Sequence, residues 1–84
     1  MNKEILFFSA NWCTACNAMA PIAGEVAKQN GIPFKKIDTD YDASLVSKYN
    51  IRSIPTAVLL ENGNEIKRTV GASTSTQFDS FLKG

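Results

Sequence analysis

Cys13 and Cys16 stand where a continuous apolar run gives way to a helical pattern, and this junction limits the possible folds more than any other feature of the sequence. The run Ile5-Leu6-Phe7-Phe8 lies within residues 3–9 and does not alternate with polar residues, as expected for a strand covered on both faces. From Thr14 to Gln29, apolar residues recur at spacings of three and four, which predicts a helix with one buried stripe. That stripe comprises Cys16, Met19, Ala20, Ala23, Val26 and Ala27.

The rest of the chain continues this alternation of strands and helices. We predict strands over residues 32–37, 56–60 and 65–70, a short helix over 42–49, and a closing helix that begins after Thr74. Asn62-Gly63 predicts a hairpin turn, and Thr74 with Gln77 predicts a capping box. Ile66 and Val70 are expected on one face of the last strand, at a sheet edge. The order β-α-β-α-β-β-α predicts an α/β fold with a four-stranded mixed sheet flanked by three helices, in a single domain over residues 1–84.

The composition of the chain excludes several classes of function. The chain has 84 residues, a net charge of +1 and no run of Lys or Arg, which argues against nucleic-acid or membrane partners. No stretch approaches the roughly 20 apolar residues that span a bilayer, and the N-terminal apolar run is too short for a signal peptide, so we expect a cytoplasmic protein. The chain has no His, which excludes an imidazole base and any His-containing metal site.

The C-x-x-C spacing points to redox chemistry. A thiolate at Cys13 would be favoured by the free N–H groups and the dipole of the helix N-terminus, whereas Cys16 on the buried stripe would be shielded. Cys13 is therefore the expected attacking nucleophile and Cys16 the resolving thiol. Two alternatives remain open: the cysteines are merely neighbours in the core, or they form half of a metal site that a second chain would have to complete. We expect no metal and no cofactor.

Several motifs together resemble the thioredoxin family over nearly the whole chain. Trp12-Cys13-Thr14-Ala15-Cys16 is similar to the W-C-x-x-C active site, and Pro21 to the proline inside the helix that follows it. Residues 49–56 (Tyr-Asn-Ile-Arg-Ser-Ile-Pro-Thr) are similar to the segment that carries a cis-proline, and Val70-Gly71-Ala72 to the end of the last strand. The resemblance implies a thioredoxin-like fold without the N-terminal strand and helix of full-length members. It also implies a protein-disulfide reductase.

The resemblance assigns substrate-binding roles around the cysteines. Pro55 is expected to be cis, which would leave the backbone of Ile54 free to pair with an extended peptide, while Pro21 and Pro33 stay trans. Trp12 is expected as a partly exposed apolar wall beside Cys13. The remaining assigned residues are Thr14 and Ala15, which would tune the thiolate, and Gly71 and Ala72, which would leave room for the substrate backbone.

One departure from the family concerns a buried charge pair. Many members carry a buried Asp six residues before the first Cys and a nearby Lys on the next strand. Here the first position is Phe7, and alignment by sequence puts Phe34 at the second, with Lys35 or Lys36 adjacent if the register slips. The pair is therefore expected to be replaced by apolar packing, which avoids the cost of burying charge.

Partners follow from the resemblance alone. The expected substrates are disulfide-containing proteins, of which ribonucleotide reductase is a common family example. The expected electron source is an NADPH-dependent thioredoxin reductase or glutathione, and a monomer is expected. The alternatives are a glutaredoxin-like, glutathione-coupled reductase and a non-catalytic binding module of the same fold.

Overall fold

The computed structural model describes residues 2–84, which form four strands and three helices in the predicted order. The strands are β1 (Lys3–Ser9), β2 (Phe34–Asp38), β3 (Thr56–Glu61) and β4 (Asn64–Val70). The helices are α1 (Thr14–Gln29), α2 (Ala43–Lys48) and α3 (Ser75–Lys83). Within residues 2–84, no helix is long and apolar enough to cross a membrane.

The sheet has the order β2-β1-β3-β4 and is mixed, as predicted. β1 pairs in parallel with β2 and antiparallel with β3, and β4 forms the edge as the antiparallel partner of β3. Leu59 pairs with Lys67 and Leu60 with Glu65, so Ile66 is an extra, unpaired residue that forms a bulge in β4. The side chains of Ile66 and Val70 are both exposed.

Helices cover both faces of the sheet, which explains why the two central strands are continuously apolar. On one face, Ile5 and Phe7 of β1 pack with α1 and α3 in a core that includes Met19 and Phe78. On the other face, residues of β1 and β3 pack with Tyr49 and, more peripherally, with residues of α2. Because β1 and β3 are buried on both sides, the end of β1 is held rigidly at the point where the chain enters the cysteine motif.

β2 begins two residues later than predicted. The N–H of Ile32 donates to the carbonyl of Ala27 at 2.9 Å, which keeps Ile32 in the turn that ends α1. Pro33 has no N–H to give to the sheet, and its carbonyl accepts from Ile5 at 2.9 Å. The first strand residue is therefore Phe34.

The predicted end signals of the elements are confirmed. Asn62 and Gly63 both have positive φ, as a tight hairpin turn requires. In α3, the Thr74 hydroxyl accepts the Gln77 N–H at 3.1 Å and the Gln77 side chain accepts the Thr74 N–H at 2.9 Å, which completes the capping box. These local hydrogen bonds and turn conformations stabilise the hairpin and the start of α3, and they lie outside the candidate site.

Candidate active site

The two cysteines are joined as a disulfide at the start of α1, with their Cα atoms 5.2 Å apart. Cys13 is the N-cap of the helix, and its sulfur accepts the backbone N–H of Cys16 at 3.2 Å. Cys13 is 8% exposed to solvent, whereas Cys16 is fully buried. The helix terminus therefore presents N–H groups to the one sulfur that solvent or a substrate can reach.

Trp12 lies at the surface beside the disulfide, as predicted. It is 69% exposed, and its indole Nε1 donates to the Asp40 carboxylate at 3.0 Å. The bond joins the loop after β1 to the loop after β2, since the carboxyl ends of these parallel strands meet at one edge of the sheet. Asp40 thus holds the indole of Trp12 in place next to Cys13.

The segment before β3 forms the other side of the site. The Ile54–Pro55 peptide bond is cis, as predicted, and no other cis bond occurs in residues 2–84. The side chain of Ile54 packs against the cluster formed by Ala10 and the two cysteines. Within the same residues the backbone N–H and C=O of Ile54 form no hydrogen bond, so both remain available.

Bonds from three directions fix this segment. The Thr56 hydroxyl donates to the Ser53 carbonyl at 2.7 Å, and the Gly71 N–H donates to the Pro55 carbonyl at 2.8 Å. At its N-terminal end, the Arg68 guanidinium donates to the Tyr49 carbonyl at 2.7 Å. Arg68 also binds the Glu65 carboxylate, and the hydrogen bond from Arg68 is the main reason why the pKa of Glu65 lies below its ordinary value.

A largely apolar groove of about 380 Å³ runs between Trp12 and this segment and reaches Cys13. Ile54, a predicted site residue, forms part of its other wall. The remaining lining residues, to which no site role was assigned from the sequence, are Thr39, Val46, Ile51, Arg52 and Ser53. A larger and more polar hollow of about 1010 Å³ lies at the opposite end of the sheet, around Pro33 and Asn62, away from the cysteines.

The other residues predicted for the site lie around the groove and not in it. Thr14 and Ala15 are exposed on the first turn of α1. Gly71 has φ +92°, a conformation that glycine adopts without strain, and it touches the site through its bond to Pro55. Ala72 is exposed next to it. The sequence signal for the missed Asp40 was its place after β2, at the edge of the sheet where β1 also ends.

The structure corrects one assignment near the disulfide. The register pairs Phe7 with Lys36, whereas Phe34 lies opposite Ile5. Lys36, not Phe34, is therefore the residue next to Phe7 on the neighbouring strand, and it is exposed. Phe34 packs its ring against that of Phe7 with centroids 5.4 Å apart. Only the acidic member of the family's pair is replaced by an apolar residue.

The described residues form no cluster of metal-binding side chains. Across residues 2–84, no three Cys, Asp or Glu side chains come close enough together to hold an ion. The disulfide occupies both cysteines and leaves neither thiol free.

Comparison with known proteins agrees with this geometry. The thioredoxin family model matches residues 2–84. Thioredoxin C-3 of Corynebacterium nephridii is 42% identical over 74 residues, covering 87% of this chain and 51% of that protein. Thioredoxin 1 of Synechococcus elongatus is 39% identical over 77 residues, covering 89% of this chain and 72% of the relative. The chain therefore spans between about half and three quarters of these relatives.

Solved structures support the same fold. A point mutant of a thioredoxin from Halobacterium salinarum superposes with a TM-score of 0.91 at 28% identity, covering 98% of this chain and 73% of that one. Together with the Trp12-Cys13 motif, these matches do not favour the glutaredoxin alternative. They place the disulfide and its groove within a known architecture.

Proposed function

This chain belongs to the thioredoxin family, and we propose that it is a thiol–disulfide oxidoreductase that reduces disulfide bonds in proteins, with Cys13 attacking and Cys16 resolving. The observation that carries the assignment of roles is the asymmetry of the pair. Cys13 accepts an N–H bond at a helix N-terminus beside the groove, while Cys16 is fully buried behind it. A thiolate at Cys13 is stabilised by its position and is reachable.

The reaction proceeds by two exchanges. The Cys13 thiolate attacks one sulfur of the substrate disulfide, a Cys13–substrate bond forms, and the other substrate sulfur leaves as a thiolate. Cys16 then attacks the Cys13 sulfur, the Cys13–Cys16 bond forms, and the second substrate sulfur departs and takes up the proton lost by Cys16. The substrate sulfur that left first takes a proton from solvent, which replaces the one that Cys13 released when it became a thiolate. The substrate thus gains two electrons and two protons, and the chain ends in the oxidised form that the structure describes.

The groove supplies the binding energy and the orientation. An extended substrate segment would lie between Trp12 and Ile54, exchanging backbone hydrogen bonds with the unpaired groups of Ile54. The apolar walls suit an apolar side chain next to the substrate cysteine. Thr14 and Ala15 would flank the attacking sulfur, and Gly71 and Ala72 would border the far end of the segment.

The partners and setting of the reaction follow from the family. We assign disulfide-containing proteins as substrates, with ribonucleotide reductase as one candidate, and an NADPH-dependent thioredoxin reductase as the electron source, with glutathione as the alternative donor. The chain is assigned as a monomer that acts in the cytoplasm, in electron transport for thiol homeostasis.

A coupled assay tests the proposal. NADPH oxidation is followed with a disulfide-bonded protein as substrate, and with either thioredoxin reductase or glutathione and its reductase supplying electrons. We expect turnover with the flavoprotein, loss of turnover in Cys13→Ser, and a trapped mixed disulfide on Cys13 in Cys16→Ser. Turnover that survives Cys13→Ser would contradict the assigned roles. A wild-type chain that turns over with neither donor would reject the reductase function.

A further inference from the structure

Ser9 is the last residue of β1, and its side chain is an anomaly in the core. It is 1% exposed, and its hydroxyl oxygen is the only buried side-chain N or O atom in residues 2–84 that has no hydrogen-bond partner. A buried hydroxyl without a partner destabilises a fold, and most such groups in proteins are paired. The structure describes the disulfide form, in which neither sulfur carries an S–H donor. Reduction would create a thiol that can donate, or a thiolate that accepts strongly, and either could pair with this hydroxyl.

Strand and helix periodicity put Ser9 at about the level of Cys16, although the Ser9 hydroxyl makes no hydrogen bond to either sulfur of the disulfide. Side chains alternate along β1, so Ser9 shares the α1-facing side with Phe7, which packs in the same cluster as Met19 and Ala23. α1 runs back along β1 after the loop over residues 10–13. The step from Phe7 to Ser9 covers about 6.6 Å along the strand, close to one helical turn of about 5.4 Å. Cys16 lies one helical turn before Met19, so it is the residue of α1 expected nearest to Ser9.

The polar side chains of Asp38 and Lys36 on the neighbouring strand do not take this place. Phe7 is fully buried where many family members have an acid. Asp38, the partner of Ser9 across the β1–β2 ladder, directs a carboxylate oxygen to the Asp40 N–H at 2.9 Å and makes no bond to Ser9. Lys36 on the same strand is exposed. The cluster that contains Cys16 is formed with Ala10, Cys13 and Ile54, none of which carries a hydroxyl or a charge.

We propose that the Ser9 hydroxyl is the hydrogen-bonding partner of the Cys16 sulfur in the reduced protein, and that Ser9 is a positioning residue for the resolving step. The inference rests on the proposed function. A hydroxyl both accepts and donates, so it binds the Cys16 thiol as an acceptor and the Cys16 thiolate as a donor. In the resolving step the proton of Cys16 passes to the departing substrate thiolate, and Ser9 neither gains nor loses a proton overall.

The first test measures the equilibrium between dithiol and disulfide in glutathione buffers. In Ser9→Ala the reduced form loses a hydrogen bond and the oxidised form loses none. We expect the equilibrium constant for reduction to fall about fivefold, which corresponds to about 1 kcal/mol and makes the reduction potential about 20 mV more negative. Ser9→Thr keeps the hydroxyl and is expected to restore most of the difference.

Asp38→Asn is the matched control, because its side-chain oxygen still accepts the Asp40 N–H while its charge is lost. We expect it to leave the equilibrium constant unchanged. A shift in Asp38→Asn as large as that in Ser9→Ala would overturn the assignment to Ser9.

A second measurement separates this role from a purely structural one. Urea unfolding is compared between Ser9→Ala and the wild type in both redox states. We expect the reduced form to become less stable and the oxidised form to stay equal or gain stability. Equal changes in both states would show that Ser9 binds something other than Cys16, such as a buried water, and would reject the inference. Because the glutathione equilibrium needs no protein substrate, it remains measurable even if the coupled assay rejects the reductase function.

Discussion

Phe7→Asp tests whether the chain could have kept the family's buried acid. Phe7 is fully buried, its ring packs on Phe34 with centroids 5.4 Å apart, and Ala57 lies opposite on β3. A carboxylate at this position would have no paired cation, because Lys36 beside it is exposed to solvent. The carboxyl must therefore remain protonated in the folded state, so its pKa must rise.

The magnitude follows from two contributions. Deleting the buried ring costs about 3–5 kcal/mol. Keeping an Asp protonated costs about 1.4 kcal/mol for each pH unit above its ordinary pKa of about 3.9, or about 4 kcal/mol at neutral pH. The sum of about 7–9 kcal/mol compares with roughly 4–13 kcal/mol of total stability for 84 residues. We expect Phe7→Asp to be largely unfolded at neutral pH.

The assay is urea unfolding of Phe7→Asp against Phe7→Asn, with the disulfide intact, at several mildly acidic pH values at which Phe7→Asp is still folded. A raised pKa means that the folded state holds its proton longer than the unfolded state, so stability is lost as pH rises. The gap between the two variants should widen by about 1.4 kcal/mol for each pH unit above about 4. A gap that stays constant would refute the reasoning and would show that Lys36 or Ser9 can stabilise the charge.

Three further predictions follow from contacts outside the disulfide. Thr74→Ala removes half of the capping box and should lower the unfolding free energy by about 1 kcal/mol, as measured by urea. The pKa of Asp79 lies below its ordinary value chiefly because the Asn30 side chain donates a hydrogen bond to its carboxylate. The stability that the Asp79 carboxylate contributes should therefore be lost as pH falls through that lowered pKa, and acid unfolding of Asp79→Asn should lack this loss. Asp40→Ala should free the indole of Trp12, the only tryptophan, and lower its fluorescence anisotropy, whereas Asp40→Asn keeps an acceptor and should not.

Local signals were enough for most of the fold. The stripe of α1, the capping box at Thr74 and the positive φ at Asn62 each depend on residues within a few positions of one another, and all are confirmed. The cis bond at Pro55 is different, since it was expected from family resemblance and not from local propensity. The start of β2 was placed too early because Ile32 bonds back to α1, a choice that the apolar pattern does not reveal.

In the active site, too, some features follow from residues close in sequence and others depend on contacts between distant residues. The placement of Cys13 at a helix N-terminus and the burial of Cys16 could both be predicted from the residue pattern, because one strand–helix junction sets both. Three other features became visible only in three dimensions: Lys36 and not Phe34 lies beside Phe7, Asp40 binds the Trp12 indole, and the Ser9 hydroxyl has no partner. These facts depend on the register between strands that are distant in sequence. A shift of one residue in such a register turns every side chain to the other face, and the apolar runs of β1 and β3, buried on both faces, do not specify it by pattern.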